Sequence, residues 1–302
     1  MANAATSELP AATVGAALTR AVKSFGLIKE SWVGMIGSGI IVFWILMAVL
    51  APLIAPFEPN ATLVGYQKPF WWPGFQVADG AQTFWLGTDH VGRDVLSRII
   101  WGSQTVLIYA PLATFCAYTV GIMMGLAAGY YRGWVDDVLS RIADIILSFP
   151  VLVLYVIIIA TFGASPLNIV VAIIFASSPG IMRIVRGLVL DLRNRDYVAA
   201  AQTRGEPSWR IMLIEILPNA RGPLIVDACL RLGYVIITIG VLGFLGLGMP
   251  PPDPDWGGMV NETRQIAVAF PHMTLFPCLA ISSLILGFNL LADGLREIAL
   301  RD

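Results

Sequence analysis

Few side chains in this sequence are of types that carry chemistry, and their spacing narrows what they can do. His90 follows Asp89 and precedes Asp94, which offers nitrogen and oxygen ligands to an external metal ion, but the other histidine, His272, is 182 positions away and one imidazole is a weak start for a metal site. The competing reading makes Thr88 or Asp89 the cap of an amphipathic helix in which Asp94 and Arg98 pair one turn apart. His272, beside Pro271, opens an apolar run, where a polar residue at headgroup depth needs no further role. Asp227 and Arg231 stand one turn apart near the start of another apolar run, where unpaired charge is costly; they fit a structural ion pair or a proton relay. Nucleotide hydrolysis has no place on the chain. The phosphate-cradling loop needs Gly-Lys followed by Ser or Thr, yet no Gly-Lys dipeptide occurs and the three lysines, Lys23, Lys29 and Lys68, lie outside the apolar runs. No HExxH or GxSxG pattern points to a hydrolase. Cys116, Cys229 and Cys278 are far apart without CxxC spacing and read as small hydrophobes.

The most informative polar stretch runs from Asp196 to Asn219 and is built for shape. Asp196 can cap a short helix on which Ala199, Ala200 and Ala201 keep one face thin, and Gly205 can adopt the left-handed conformation that closes it. Pro207 suits the first turn of a second helix, which Pro218 stops. The product is a compact helical elbow, thin enough for a partner to grip.

The elements that position this elbow follow from composition. Of 302 residues, 57% are hydrophobic and 13% charged, with a mean hydropathy of +0.76, against about 25% charged in soluble domains. The solvent is lipid. A net charge of -1 provides no basic surface for nucleic acid. Six runs reach the roughly 20 apolar residues that a bilayer needs: Trp32 to Ile54, Val106 to Tyr130, Val138 to Phe162, Leu167 to Leu190, Leu224 to Leu247 and His272 to Leu291. The first is too long for a signal peptide and reads as a retained span. Gly121, Gly125 and Gly129 recur at four-residue spacing and permit close helix approach, while Pro150 and Pro179 mark spans that can kink or break around a cavity. Lysine and arginine are concentrated before the first run, between the second and third, after the last, and most densely between Arg183 and Arg221. By the positive-inside rule these segments and both termini are cytoplasmic, and the long loops after the first and fifth spans are outside. Phe70, Trp71, Trp72, Phe75, Phe84 and Trp85 in the first of those loops fit either an interfacial belt or a surface that receives a substrate or binding protein.

The elbow resembles the EAA loop of the permease subunits of type I bacterial ABC importers: Ala200, Ala201, Gly205, Leu217 and Pro218 fall on its pattern, whereas Ala199 replaces the leading glutamate and Glu215 stands where a basic residue is common. Leu86-Gly87-Thr88-Asp89, with Gly92-Arg93-Asp94 and Ser97-Arg98, is similar to a signature of the dipeptide and oligopeptide subfamily, C-type subunit. Phe244-Leu245-Gly246-Leu247-Gly248, Pro251-Pro252, Trp256-Gly257 and Ser148-Phe149-Pro150 extend the likeness over about two thirds of the chain.

The resemblance implies an all-α polytopic fold of six transmembrane helices with a cytoplasmic coupling helix, in which Asp196, Tyr197, Ala199, Ala200, Ala201, Gly205, Leu217 and Pro218 meet the ATPase. It divides the chain into a cytoplasmic lead (1–31), a first helix (32–56), a periplasmic loop with an amphipathic helix (57–102), a five-helix importer domain (103–293) containing the coupling loop (191–220), and a tail (294–302). It implies a non-catalytic subunit in the bacterial inner membrane that moves substrate by alternating access. Its partners would be a homologous second permease, two ATPase subunits that hold ATP and magnesium, and a periplasmic substrate-binding protein. No cofactor is expected on this chain. Peptides are the expected substrate, with nickel complexes, glutathione and oligosaccharides as alternatives. A stand-alone channel or proton-coupled carrier is the reading from another class, and would call for intramembrane carboxylates or a selectivity filter.

Overall fold

A computed structural model describes residues 31–63, 65, 67–69, 71, 83–250 and 253–299. The helices are α1 (Trp32–Val49), α2 (Ala51–Ile54), α3 (Val95–Tyr131), α4 (Gly133–Leu147), α5 (Val151–Phe162), α6 (Pro166–Leu192), α7 (Asp196–Thr203), α8 (Ser208–Arg210), α9 (Leu217–Phe244), α10 (Trp256–Thr263) and α11 (His272–Ala299). A π-helical stretch, Ile211–Ile216, joins α8 to α9. Among the described residues five segments are long and apolar enough to cross a membrane, and the bent pair α4–α5 meets the same requirement when its two helices are taken together.

Close backbone contacts set the direction of each crossing. Gly34, Gly37 and Ile40 of α1 meet Gly294, Leu291 and Gly287 of α11 in reverse order, flanked by hydrogen bonds from Ser31 to Glu297 at 2.7 Å and from Trp44 to Ser283 at 2.9 Å. These helices are antiparallel, so the two ends of the described chain lie on one face of the bundle. In α3, Gly121, Gly125 and Gly129 face Ile181, Val185 and Val189 of α6 in the same order. That pair is parallel, which requires the α4–α5 pair to return the chain across the membrane. The glycine spacing expected to bring helices together does so here, because only a missing Cβ admits a β-branched side chain this close.

The two prolines behave differently. At Pro150 the third expected span breaks into α4 and α5, bent by 86°, since proline lacks an N–H and restricts the residue before it. Pro179 lies inside the continuous α6. Of α4 and α5 together only Ala143, Tyr155 and Ile159 are buried, whereas α6 buries eleven residues, Pro179 among them; packing along its length keeps α6 straight. The first expected span also breaks, at Leu50 before Pro52. Between α3 and α4 the chain reverses through Arg132 and Gly133 at φ 59° and 54°.

Two apolar layers hold the bundle. One joins α1, the first half of α3, α5, the first half of α6 and the second half of α9 with α10 and α11. The other joins the later parts of α3 and α6 to Val198, Ala201, Ile211 and Ile216 of the elbow and Ala220 and Leu224 of α9. The elbow is therefore part of a core.

Candidate functional site

Arg195, not Asp196, is the N-cap of α7; Asp196 occupies the first turn and makes no capping bond, though its charge still favours that helix end. Val198 and Ala201 are buried, while Asp196, Ala199 and Ala200 are exposed and Tyr197 is half-buried. One alanine of the three is thus a packing residue, and the other two form a bare ledge. Gly205 is exposed and has φ +72°. The Gly205 N–H donates to the Gln202 carbonyl at 2.9 Å and the Glu206 N–H to the Ala201 carbonyl at 3.2 Å, closing the helix as expected of glycine.

Arg204 lies 2.8 Å from Glu206 and 3.7 Å from Glu215, so the acidic residue standing in a commonly basic position has an internal partner. Arg193 donates to the Tyr130 carbonyl at the end of α3, at 3.0 Å. Pro218 does not stop the second helix: it sits in the first turn of α9, which runs on to Phe244. The missing proline N–H falls where π-helical winding already departs from the regular ladder, so the axis continues. Leu217 is half-buried and Pro218 exposed. Trp209, 59% exposed, extends the elbow's surface beyond the expected residues. A Cβ at Gly205 would meet open space, so Gly205→Val should cost about 1–2 kcal/mol through its backbone angle alone. The expected result is faster hydrogen exchange confined to residues 196–216, with the spans unaffected.

The signature from Leu86 to Arg98 is a structural cap. Asp94, not Thr88 or Asp89, is the N-cap of α3, and its carboxylate accepts from the Ser97 N–H at 2.7 Å and hydroxyl at 2.6 Å. No separate amphipathic helix is present among the described residues of 57–102, because those from Val95 onward already belong to α3. Arg98 does not pair with Asp94. It is buried, 3.7 Å from Glu262 and 4.0 Å from Asp89. Asp89, His90 and Glu262 place ligand atoms within 4.8 Å of one another, but Arg93 bridges Asp89 at 2.6 Å and Glu262 at 2.5 Å. A guanidinium between the two carboxylates answers the charge a cation would neutralise. Of the aromatic group, Phe84 is buried and Trp85 exposed, and the Trp71 indole donates to the Trp85 carbonyl at 2.9 Å; Phe70, Trp72 and Phe75 lie outside the described residues.

The second glycine-rich signature is also a packing device. The carboxylate of Asp255 caps α10 by accepting from Gly257 and Gly258 at 3.2 and 3.0 Å. A Cβ at Gly257 would collide with the Gly240 carbonyl, and one at Gly243 with Asp255. Trp256 is fully buried and donates to the Ile99 carbonyl at 2.9 Å. Pro251 and Pro252 lie outside the described residues. Near the start of the fifth span, Arg231 donates to Asp227 at 2.8 Å, and the Tyr118 hydroxyl donates to the same carboxylate oxygen. The ion-pair reading thus has a geometry, and Tyr118 is a third member that spacing alone does not reveal.

Among the described residues the helices form a bundle of parallel and antiparallel crossings, with a packed elbow between the fourth and fifth spans. Residues 117–301 match the family described as binding-protein-dependent transport system inner membrane component, and residues 28–69 match the N-terminal transmembrane domain of oligopeptide transport permease C. The chain belongs to this family and is a multi-pass inner-membrane permease subunit. It is 41% identical over 213 residues to a glutathione transport system permease of Pectobacterium atrosepticum, covering 70% of this chain and 71% of the relative. It is 37% identical over 275 residues to a dipeptide transport system permease of Alkalihalophilus pseudofirmus, covering 91% and 88%. Its fold matches a chain of the MetNI methionine ABC transporter in an inward-facing conformation, with a TM-score of 0.54, 19% identity, and coverage of 68% of this chain and 96% of that one.

Proposed function

We propose that this chain is one permease subunit of an ATP-driven importer for small peptides, and that α7 is the ledge through which an ATPase subunit drives it. The observation that carries this reading is the division of α7. Ala199 and Ala200 are bare on one side, while Val198 and Ala201 on the other are buried in the layer that also holds α3, α6 and α9. A force applied to the bare side therefore reaches three spans through packed side chains. ATP and magnesium would bind the partner ATPases, two per assembly, and this chain would contribute no catalytic group. A second, homologous permease and a periplasmic binding protein complete the unit, with both termini of this chain in the cytoplasm. The peptide assignment rests on the relatives named for dipeptide and glutathione transport, and glutathione, itself a peptide, falls within it.

Ala200→Trp tests the ledge, because Ala200 is exposed and Gly205 keeps its backbone. The spans should fold, whereas ATPase subunits should no longer co-purify and peptide uptake by reconstituted vesicles should fall at least about tenfold. Unchanged co-purification and uptake would remove α7 from the coupling role.

A further inference from the structure

The Asp227–Arg231 pair lies within the first turns of the fifth span, where charge is already costly to keep. In α9, Arg231 is seven residues after Leu224, where the apolar run begins, about 10 Å along it at 1.5 Å per residue. Ionisable groups at such depth face a cavity or one another, and they commonly mark a transport path. Here both conditions hold. The Nε of Arg231 donates to Oδ2 of Asp227 at 2.8 Å, and Tyr118 of α3 donates to that same oxygen, which holds the carboxylate from behind. The terminal nitrogens Nη1 and Nη2 lie over Gly180 of α6, 3.5 and 3.6 Å from where a Cβ would stand. A methyl there would just touch the guanidinium, and a larger side chain would press on it.

Arg231 also lines a cavity of about 330 Å³ together with Thr114, Tyr155, Ser177, Tyr234 and Thr238, at the lower end of the roughly 300–1,000 Å³ range of ligand sites. The cavity lies beside the break at Pro150, since Val151 and Leu152 at the start of α5 form part of its wall. Its lining is mostly apolar, with hydroxyls on four helices and one cation.

We propose that Arg231 is a carboxylate contact on the translocation path. Its Nη1 and Nη2 take the C-terminal carboxylate of a peptide in this cavity, while Asp227, held by Tyr118, keeps the guanidinium turned toward it. The planar fork suits bidentate carboxylate recognition. The neighbouring Asp227 makes the hold weak: the empty pair is neutral, and an arriving carboxylate leaves the site with a net negative charge. A transport site needs this balance, favourable enough to enter and weak enough to leave. The inference rests on the peptide reading only for the identity of the carboxylate's owner.

The test uses the full chain purified with its accompanying subunits, without binding protein, and a photoreactive dipeptide as free acid or C-terminal amide. Mass spectrometry maps the label. The acid should label α5 and the Tyr234 region about tenfold more than the amide. In Asp227→Asn/Arg231→Gln, which removes both charges together and leaves no orphan in the membrane, acid and amide should label alike. Arg231→Lys keeps charge without the fork and should retain a preference of about threefold. Equal labelling of the wild type by acid and amide, or a preference that survives the double variant, would overturn the site. Uptake by vesicles supplied with binding protein is the second readout. Absence of dipeptide and glutathione uptake by the wild type, with the acid preference intact, would overturn the peptide reading and still support carboxylate recognition.

Discussion

Gly125→Leu should leave little folded protein to purify. A Cβ at position 125 already lies 2.5 Å from the Val185 Cβ and 2.8 Å from the Met182 carbonyl, in the middle of a parallel helix contact with Gly121 one turn before and Gly129 one turn after. Neither neighbour is a flexible side-chain end that can swing aside, so α3 and α6 must separate along their length. That removes dispersion contacts on both sides and destabilises the domain by about 3 kcal/mol or more. Gly39→Leu, in α1 where a Cβ meets nothing within 4 Å, serves as the control for leucine in a membrane helix. Yield and thermal midpoint in detergent distinguish the two. A Gly125→Leu protein as stable as the Gly39 variant would show that the contact is not needed for folding.

Asp255 should make the fold around α10 more stable in mild acid than at neutral pH. Burial pushes its carboxyl up to about 6, with Glu262 adding to the rise, against which hydrogen bonds from the backbones of Gly258, Gly257 and Met249 work; Arg98 is close enough to feel its charge. In the unfolded chain the same group titrates near 4. Between those values the native form holds a proton that the unfolded form has released, so stability contributed here declines as pH rises from about 4 to about 6 and is level beyond. The full effect is on the order of 3 kcal/mol. Asp255→Asn cannot titrate and mimics the protonated group, so its thermal midpoint between pH 5 and 7 should lose the wild-type slope. Asp255→Ala leaves three buried backbone donors unanswered and should be less stable by about 3 kcal/mol at either pH. An asparagine variant with the wild-type slope would assign the pH dependence elsewhere.

The spans were legible because a bilayer demands length and apolarity, both local properties, and Gly205 was legible because only glycine takes its backbone angle cheaply. The prolines were not. Whether a proline breaks a helix depends on what packs around it, which is why Pro150 and Pro179 part ways and why Pro218 continues a helix it was expected to end. Local pairing rules also misplaced Arg98: a partner four residues away looked sufficient, whereas Glu262, which Arg93 reaches across 169 positions, competes and wins. Tyr118 joins Asp227 from 109 positions away, a contact with no local trace. The elbow was legible as a shape, but which of its three alanines faces inward depended on the position of α6.

The winding of residues Ile211–Ile216 bears on how that elbow can move. A π-helical turn holds more residues than an α-helical turn of the same height, so this stretch carries slack in a chain that is otherwise taut from α6 to Phe244. Slack of this kind works as a slip joint. When the ledge tilts, the surplus can shift along the helix and turn the residues before it, without thrusting α9 along its own axis. The half-buried charges at Asp227 and Arg231 then keep their place along the axis of α9 while the ledge moves.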